Sequence, residues 1–300
     1  ARSGKEVTVV VELLARFDEE ANIKLAQKLE EVGAHVVYGV VGHKTHAKMA
    51  MVVRRENEGL RRYVHLGTGN YHARTATLYT DFGLLTCNDR ICSDVNDVFM
   101  QLTGLGKAGK LSYLWQSPFT LHARILGSIR REVEAADAGK PAGIIAKMNS
   151  LLEPEIITAL YFASQAGVQI DLIVRGVCAL RPGIPGVSDN IRVRSIIGRF
   201  LEHHRVFYFL STESVYLASA DWMDRNFFRR IEVCFPVLDP ELKKRVVDES
   251  LRDSLDDNTQ AWNMDADGKY HQVQPKNKQP LSSQLFLIDT LSAKSSTAQP

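Results

Sequence analysis

The sequence predicts an α/β fold made of two repeated halves, with mixed, mostly parallel sheets flanked by helices. Three observations predict it. Apolar strand-like runs alternate with segments of helical period. The strand-helix-strand order recurs after about 150 residues, a duplicated domain rather than a short solenoid repeat. Each half also contains a His-x-cation triplet followed by a turn of small residues, first at His46-Ala47-Lys48 and again at His203-His204-Arg205.

In the first half, Thr8 to Leu14 reads as a buried strand. Asp18 suits a helix N-cap, and Ile23, Leu25, Ala26 and Leu29 follow at helical spacing to Glu31, with Gly33 placed to end the helix. His35–Val41, Ala47–Arg54 and Arg61–Leu66 read as strands, the last two joined by a turn through Gly59. A helical connector over Ser117–Ala138 follows.

The second half starts with a strand at Gly143–Met148. A helix runs from Pro154, which suits a first-turn position, to Gln165, and Gly167 ends it. Strands follow at Val168–Val174, Val193–Ile197, Arg205–Leu210, Ser214–Ser219 and Glu232–Pro236. The domain expectation is 1–116, 117–271 beginning with the connecting helix, and a flexible tail over 272–300, where Gln, Lys, Pro and Ser dominate. The chain opens without Met and enters a strand almost at once, which reads as a fragment lacking an N-terminal part.

With 45% apolar and 24% charged residues, the composition is that of a globular protein. A net charge of +2 supplies no bulk attraction for nucleic acid or membrane. The four cysteines, Cys87, Cys92, Cys178 and Cys234, fit no zinc spacing and read as reduced thiols of a cytoplasmic protein. No Walker-type loop or dinucleotide fingerprint occurs.

On a strand, residues i and i+2 share a face, so His46 and Lys48 would project together, as would His203 and Arg205, with His204 turned away. An imidazole beside a cation suits a nucleophile attacking phosphorus while the charge holds phosphate oxygens. Gly67-Thr68-Gly69-Asn70 follows the first triplet; Ala218-Ser219-Ala220-Asp221 and Asn226 follow the second. Two such blocks suggest one site made from two half-sites. Among the nine histidines, His35, His122 and His271 read as structural, His65 and His72 as structure or support, and His43 as either. Arg16 and Arg175 each end an apolar strand, where α/β sheets bind ligands and a guanidinium matches phosphate oxygens; a structural ion pair is the competing reading. Arg229-Arg230 is ambiguous, Arg54-Arg55 suits a solvated hairpin, and Tyr79 is either core or a base-stacking ring.

The paired blocks look like the His-x-Lys and Gly/Ser-x-Asn signature of the phospholipase D superfamily. The expected Asp after the Lys is missing, and Arg205 stands in the second Lys position, which argues against an ordinary phosphodiesterase. A longer resemblance covers the chain to about residue 270. Val10 to Ile23, Thr45 to Lys48, His65 to Tyr71, Leu78 to Asp81, Ile173 to Gly176, Ser188 to Arg192, Leu201 to Val206 and Ser219 to Met223 resemble the polyphosphate kinase family of the first type. The resemblance implies its C-terminal catalytic half, with two phospholipase D-like domains.

It further implies reversible transfer of the terminal phosphate of ATP to polyphosphate through a phosphohistidine. His46 matches the phosphorylated residue, and His203 the second active-site histidine near the nucleotide phosphates. Tyr79 and Arg175 match nucleotide contacts, and Arg16 a Mg²⁺ site reached through phosphate or water; Lys48, with Arg16, Arg175 and Mg²⁺, would hold the phosphate oxygens. The implied partners are ATP or ADP, polyphosphate and, in the full-length enzyme, further copies of itself. Peripheral membrane association is compatible with the family; nucleic acid is not expected. A diesterase or nuclease, or a non-catalytic nucleotide- or polyphosphate-binding fragment, stands as the alternative.

Overall fold

The computed structural model describes residues 1–12, 19–40, 42–57, 59–104 and 109–297, with side chains to 293. Asp18, the expected N-cap, and Arg16 lie outside the described residues. In the first half, β1 (Thr8–Val10), α1 (Glu19–Glu31) and β2 (His35–Val37) form a strand-helix-strand unit whose two strands pair in parallel. Two short segments, β3 (Lys44–Thr45) and β6 (Tyr79–Thr80), leave this half to pair with strands of the other. Between them, β4 (Lys48–Glu56) and β5 (Gly59–Gly67) form a hairpin, and α2 (Ala73–Ala76) is a single turn. The strand β7 (Gly83–Thr86) completes a three-stranded sheet, and α3 (Asp89–Leu102) packs on it. Asn88 caps α3, its Oδ1 accepting from the amides of Arg90 and Ile91. Ile91, Val95 and Val98 then bury one apolar stripe against Val64 and Leu66.

The second half opens with β8 (Trp115–Ser117) and α4 (Leu121–Asp137), a shorter helix than the connector expected. The unit β9 (Gly143–Met148), α5 (Pro154–Gln165) and β10 (Gln169–Val174) repeats the plan of β1-α1-β2, again with parallel strands. Gly33 and Gly167 end their helices at φ 85° and 90°, the left-handed region open to glycine. Then come β11 (Ile191–Ile196), β12 (Leu201–Glu202), β13 (Arg205–Phe209), β14 (Ser214–Ala218), α6 (Asp224–Phe228) and β15 (Arg230–Pro236). After α7 (Pro240–Val246) the chain takes a π-helical turn over Val247–Arg252, then α8 (Asp253–Asp256), β16 (Ala261–Met264), β17 (Tyr270–Gln272) and α9 (Ser283–Thr297).

The main sheet runs β17-β16-β11-β10-β9-β13-β14-β15-β3, with β8 also on β15. The α/β class with helix-flanked mixed sheets is borne out. Its parallel part is narrower than expected: β9, β10 and β11 pair in parallel, whereas hairpins such as β13–β14 build the neighbouring strands antiparallel. Ile144, Ala146, Ile170, Leu172 and Phe207 fill one face of this sheet, against α4 and α5.

The expectation of a loose tail from residue 272 is corrected. Ser283–Thr297 is helical, and Ser283 and Gln284 are buried. Its anchor is polar: the Ser283 amide and hydroxyl both donate to Asp257 Oδ2, at 2.7 and 2.9 Å. Within the apolar stretch Leu285–Ile288, the part of the tail that could have docked, Leu285 and Phe286 stay about half exposed and Leu287 and Ile288 are partly buried. Among the described residues no helix is long and apolar enough to cross a membrane.

Candidate active site

Two seams join the halves, and each brings one histidine to a carboxylate of the opposite half. In the first, β3 pairs with the start of β15, Lys44 opposite Arg230 and Thr45 opposite Ile231. The amides of His46 and Ala47 then both donate to the Ile231 carbonyl, at 2.9 and 3.0 Å. This fixes the backbone of His46 one residue from Glu232. Glu232 Oε2 lies 2.8 Å from His46 Nδ1. In the second seam, β6 pairs with β12, Tyr79 opposite Leu201 and Thr80 opposite Glu202. The amides of His203 and His204 donate to Thr80 Oγ1 and O, at 3.2 and 2.9 Å. Asp81 Oδ1 and Oδ2 then lie 2.8 and 2.9 Å from His203 Nδ1.

The two dyads are built alike. Thr68 Oγ1 donates to Asp81 Oδ1 at 2.7 Å, and Ser219 Oγ donates to Glu232 Oε2; each hydroxyl lies 13 residues before its carboxylate. Asn226 Nδ2 adds a second donor to Glu232 at 2.6 Å. By this equivalence Ser219-x-Asp221 corresponds to Thr68-x-Asn70, and Asn226 supports the carboxylate rather than matching Asn70. Gly69 is required by the same packing: a Cβ there would come within 2.1 Å of Asp81 Oδ2.

The cations differ between the halves. Lys48 is buried, and its Nζ donates to the carbonyl oxygen of His46. Burial brings its ammonium down to about 7, Arg205 and Arg230 adding to the fall and Glu232 opposing it. Arg205 places Nε and Nη2 on Asp221 Oδ1 and Oδ2, at 3.1 and 3.0 Å, and Nη1 3.2 Å from His203 Nε2. Asp221 also accepts from the amide and Nδ2 of Asn149, whose Oδ1 accepts from Arg175 Nε at 2.8 Å. Arg175 is thus tied into the same network. The Tyr79 ring lies 5.0 Å from that of His203, tilted by 48°.

Burial pulls both His46 and His203 below the ordinary imidazole value, while Glu232 and Asp81 respectively oppose it. Burial would raise Glu232 and Asp81, but the facing imidazoles and hydroxyl donors outweigh it and hold both below the usual carboxylate range. Each dyad is therefore a neutral imidazole on a carboxylate, with Nδ1–H as the donor and Nε2 as the free lone pair.

The site thus brings together His46, Lys48, Tyr79, Arg175 and His203. His204 points the other way, as strand alternation requires, with Nδ1 3.0 Å from Thr80 Oγ1 and Nε2 2.8 Å from Ser250 Oγ. Full burial drops its pKa to about 3. Beneath it, Lys147 Nζ pairs with Glu202 Oε2 at 2.7 Å, and Gln284 Nε2 donates to Glu202 Oε1 at 2.6 Å. His122 is structural, packed on Phe227 and Phe228 near Glu153. Arg229 pairs with exposed Asp224, while Arg230 turns inward to within 3.9 Å of Glu232. Arg54 and Arg55 are exposed on the β4–β5 hairpin, as expected. Asp81, Glu232 and Asn149 belong to no motif in the sequence; for the two carboxylates the available signal is the equal hydroxyl-to-carboxylate spacing in the two halves.

The family model "Polyphosphate kinase C-terminal domain 1" matches residues 1–108, and "Polyphosphate kinase C-terminal domain 2" matches residues 114–284. The chain is 67% identical over 276 residues to the polyphosphate kinase of Burkholderia multivorans, covering 90% of this chain and 40% of that protein. It is 63% identical over 294 residues to that of Paraburkholderia phytofirmans, covering 96% of this chain and 43% of the relative. The crystal structure of polyphosphate kinase from Porphyromonas gingivalis superposes with a TM-score of 0.91 at 38% identity, over 99% of this chain and 46% of that one. Phosphatidylserine synthase from Haemophilus influenzae, at 11% identity and a TM-score of 0.55 over 96% of this chain and 81% of its own, shares the fold alone. The chain spans less than half the length of these kinases. It belongs to the polyphosphate kinase family and carries the two C-terminal domains of that family.

Proposed function

We propose that the two dyads form the phosphoryl-transfer site of a polyphosphate kinase, with His46 as the phosphoryl acceptor. The observation that carries this reading is the 2.8 Å contact of His46 Nδ1 with buried Glu232, which aims the Nε2 lone pair away from the carboxylate. That lone pair attacks the terminal phosphorus of ATP. The N–P bond forms as the bond to the bridging oxygen breaks, and ADP leaves with that electron pair. A terminal oxygen of polyphosphate then attacks the same phosphorus. The N–P bond breaks, and the chain gains one phosphate.

The protein's part is positioning and charge. Glu232 offsets the positive charge that develops on the His46 ring. Lys48, Arg175 and Arg230 supply cations for phosphate oxygens, and Lys48 gains its charge as a phosphate enters. Tyr79, beside His203, is placed to pack on the nucleotide, and His203 contacts its phosphates. Among the described residues no group of three or more His, Cys, Asp or Glu side chains is placed to hold a metal. The carboxylates beside the histidines are each committed to an imidazole or to Arg205. These residues do not fit a protein-held Mg²⁺, which suits the site only as an ion travelling on substrate phosphates.

The test uses the intact protein with ATP labelled in its terminal phosphate. Acid-labile label should reside on His46 and vanish in His46→Ala. Undiminished labelling of that variant would refute the assignment. Metal-independent hydrolysis of bis(p-nitrophenyl) phosphate would point to diester cleavage instead.

A further inference from the structure

The two dyads match in hydroxyl, carboxylate and Nδ1 contact, so the dyads alone do not explain why one histidine should be the acceptor. The adjoining cations do differ. Lys48 folds back onto the carbonyl of its own histidine. Arg205 does not: its Nη1 stands 3.2 Å from Nε2 and 3.5 Å from Nδ1 of His203. An atom nearly equidistant from both ring nitrogens lies over the face of the ring, not along the lone pair of either. The guanidinium is held there by the fork onto Asp221, and both side chains are buried. A cation over a neutral imidazole is attracted to its π face; over a ring becoming positive it is repelled.

Attack on phosphorus through Nε2 makes the ring positive while the N–P bond forms. We propose that Arg205 is the residue that makes the two histidines unequal: from over its face it keeps His203 neutral and reserves phosphoryl capture for His46. Arg205 acts through His203 and is a positioning residue in this role. The inference rests on the reading that His46 is the acceptor. The charged groups facing His203 are Asp81, Arg205 and, farther off, Lys48, with the Tyr79 ring on one side. Asp81 favours the cation and the other two oppose it, so removing the guanidinium removes the nearest opposing charge.

The equivalence of the halves supplies the variant. The first half has Lys48 and Asn70 where the second has Arg205 and Asp221. Arg205→Lys with Asp221→Asn therefore installs the first-half pair and leaves no buried carboxylate without its fork. Two readouts test it in intact protein carrying His46→Ala as well. The pKa of His203, followed by its ring NMR signals, should rise by about one unit or more on the double exchange. Label from ATP should then appear on His203. Arg205→Lys alone provides a second variant for the titration, and a dispersed spectrum reports that each protein is folded. A His203 pKa that stays put in the folded variants, or a His203 that takes no label, overturns the proposal. Label on His203 in His46→Ala with Arg205 intact would also overturn the proposal, whereas label found on a residue other than His46 in the wild type would overturn the acceptor assignment, so the two failures are read in different proteins.

Discussion

His46 and Glu232 are 186 residues apart in sequence, and Glu232 Oε2 lies 2.8 Å from His46 Nδ1. The contact exists because the β3–β15 pairing delivers both residues to one seam. The carboxylate is fully buried and holds Ser219, Asn226 and His46 at once. A glutamine in its place keeps the shape but removes the charge that, in the proposed mechanism, offsets the developing imidazolium.

Glu232→Gln should therefore lower kcat by about 10² to 10⁴, the range of a carboxylate that orients and supports a catalytic histidine. The KM for ATP should move far less, since Glu232 faces the histidine and not the nucleotide. Steady-state kinetics of the intact protein would separate the two. Asp81→Asn should cost less in kcat, because in the proposed mechanism its histidine is not the acceptor. An equal loss in both would refute the division of labour.

The strands β9 and β13 and the helix α5 were legible because local pattern and tertiary role agreed: Gly143–Met148 is continuously apolar except for Lys147, and Pro154 opens a helix that Gly167 ends. His46 and His203 were legible because they sit in repeated triplets. Asp81 and Glu232 were harder. A carboxylate that completes a site from the opposite half has no local periodicity to betray it, and Glu232 lies in a strand that is apolar at every position after it. The seams themselves are two residues long, β3 with β15 and β6 with β12, too short for a strand signal.

Lys48 gives a pH prediction. Its folded value, about 7, lies below the ordinary lysine range because burial and two arginines disfavour the charge. Below pH 7 it is already protonated; above, it is neutral until an anion arrives. Binding of tripolyphosphate at pH 8 should therefore take up nearly one more proton in the wild type than in Lys48→Met, and the difference should shrink at pH 6. Calorimetry in two buffers of unlike ionisation enthalpy measures it. Equal proton uptake by both proteins at pH 8 would show that Lys48 does not recharge on binding.

Gly69 makes a prediction about construction. A Cβ at this position would stand 2.1 Å from Asp81 Oδ2 and 2.8 Å from its Cβ, so a rotamer change does not relieve the clash. Gly69→Ala should displace Asp81 from His203 and cost about 1–3 kcal/mol of stability, as overpacking does. Adding Asp81→Gly, which removes the opposing side chain, should restore the stability but not the turnover. Thermal melts and kinetics of the two variants check this.

The C-terminal helix reaches the site through one residue. Gln284 Oε1 accepts from the Phe200 amide at 2.8 Å, and its Nε2 donates to the Phe200 carbonyl at 3.0 Å and to Glu202 Oε1 at 2.6 Å. Phe200 to Glu202 lead directly into His203, so the side chain closes the backbone of the loop that presents that histidine. Gly198 leaves it the room: a Cβ there would meet Gln284 Oε1 at 2.5 Å. Burial would raise Glu202, yet Lys147, His204 and Gln284 hold it down to about 2, so the anion persists at neutral pH and needs each of its donors. Gln284→Ala leaves the Phe200 amide and one oxygen of a buried carboxylate without a partner, a cost of about 1–3 kcal/mol. The loss should be local. Amide exchange should accelerate over Phe200–His204 while the strands around Ile144 and Phe207 stay protected, and turnover should fall with the order of the loop. Gln284→Glu should do worse than alanine, because it sets a second carboxylate against Glu202. If exchange at Phe200–His204 is unchanged in Gln284→Ala, the helix plays no part in holding His203, and Lys147 and Thr80 suffice to hold Glu202.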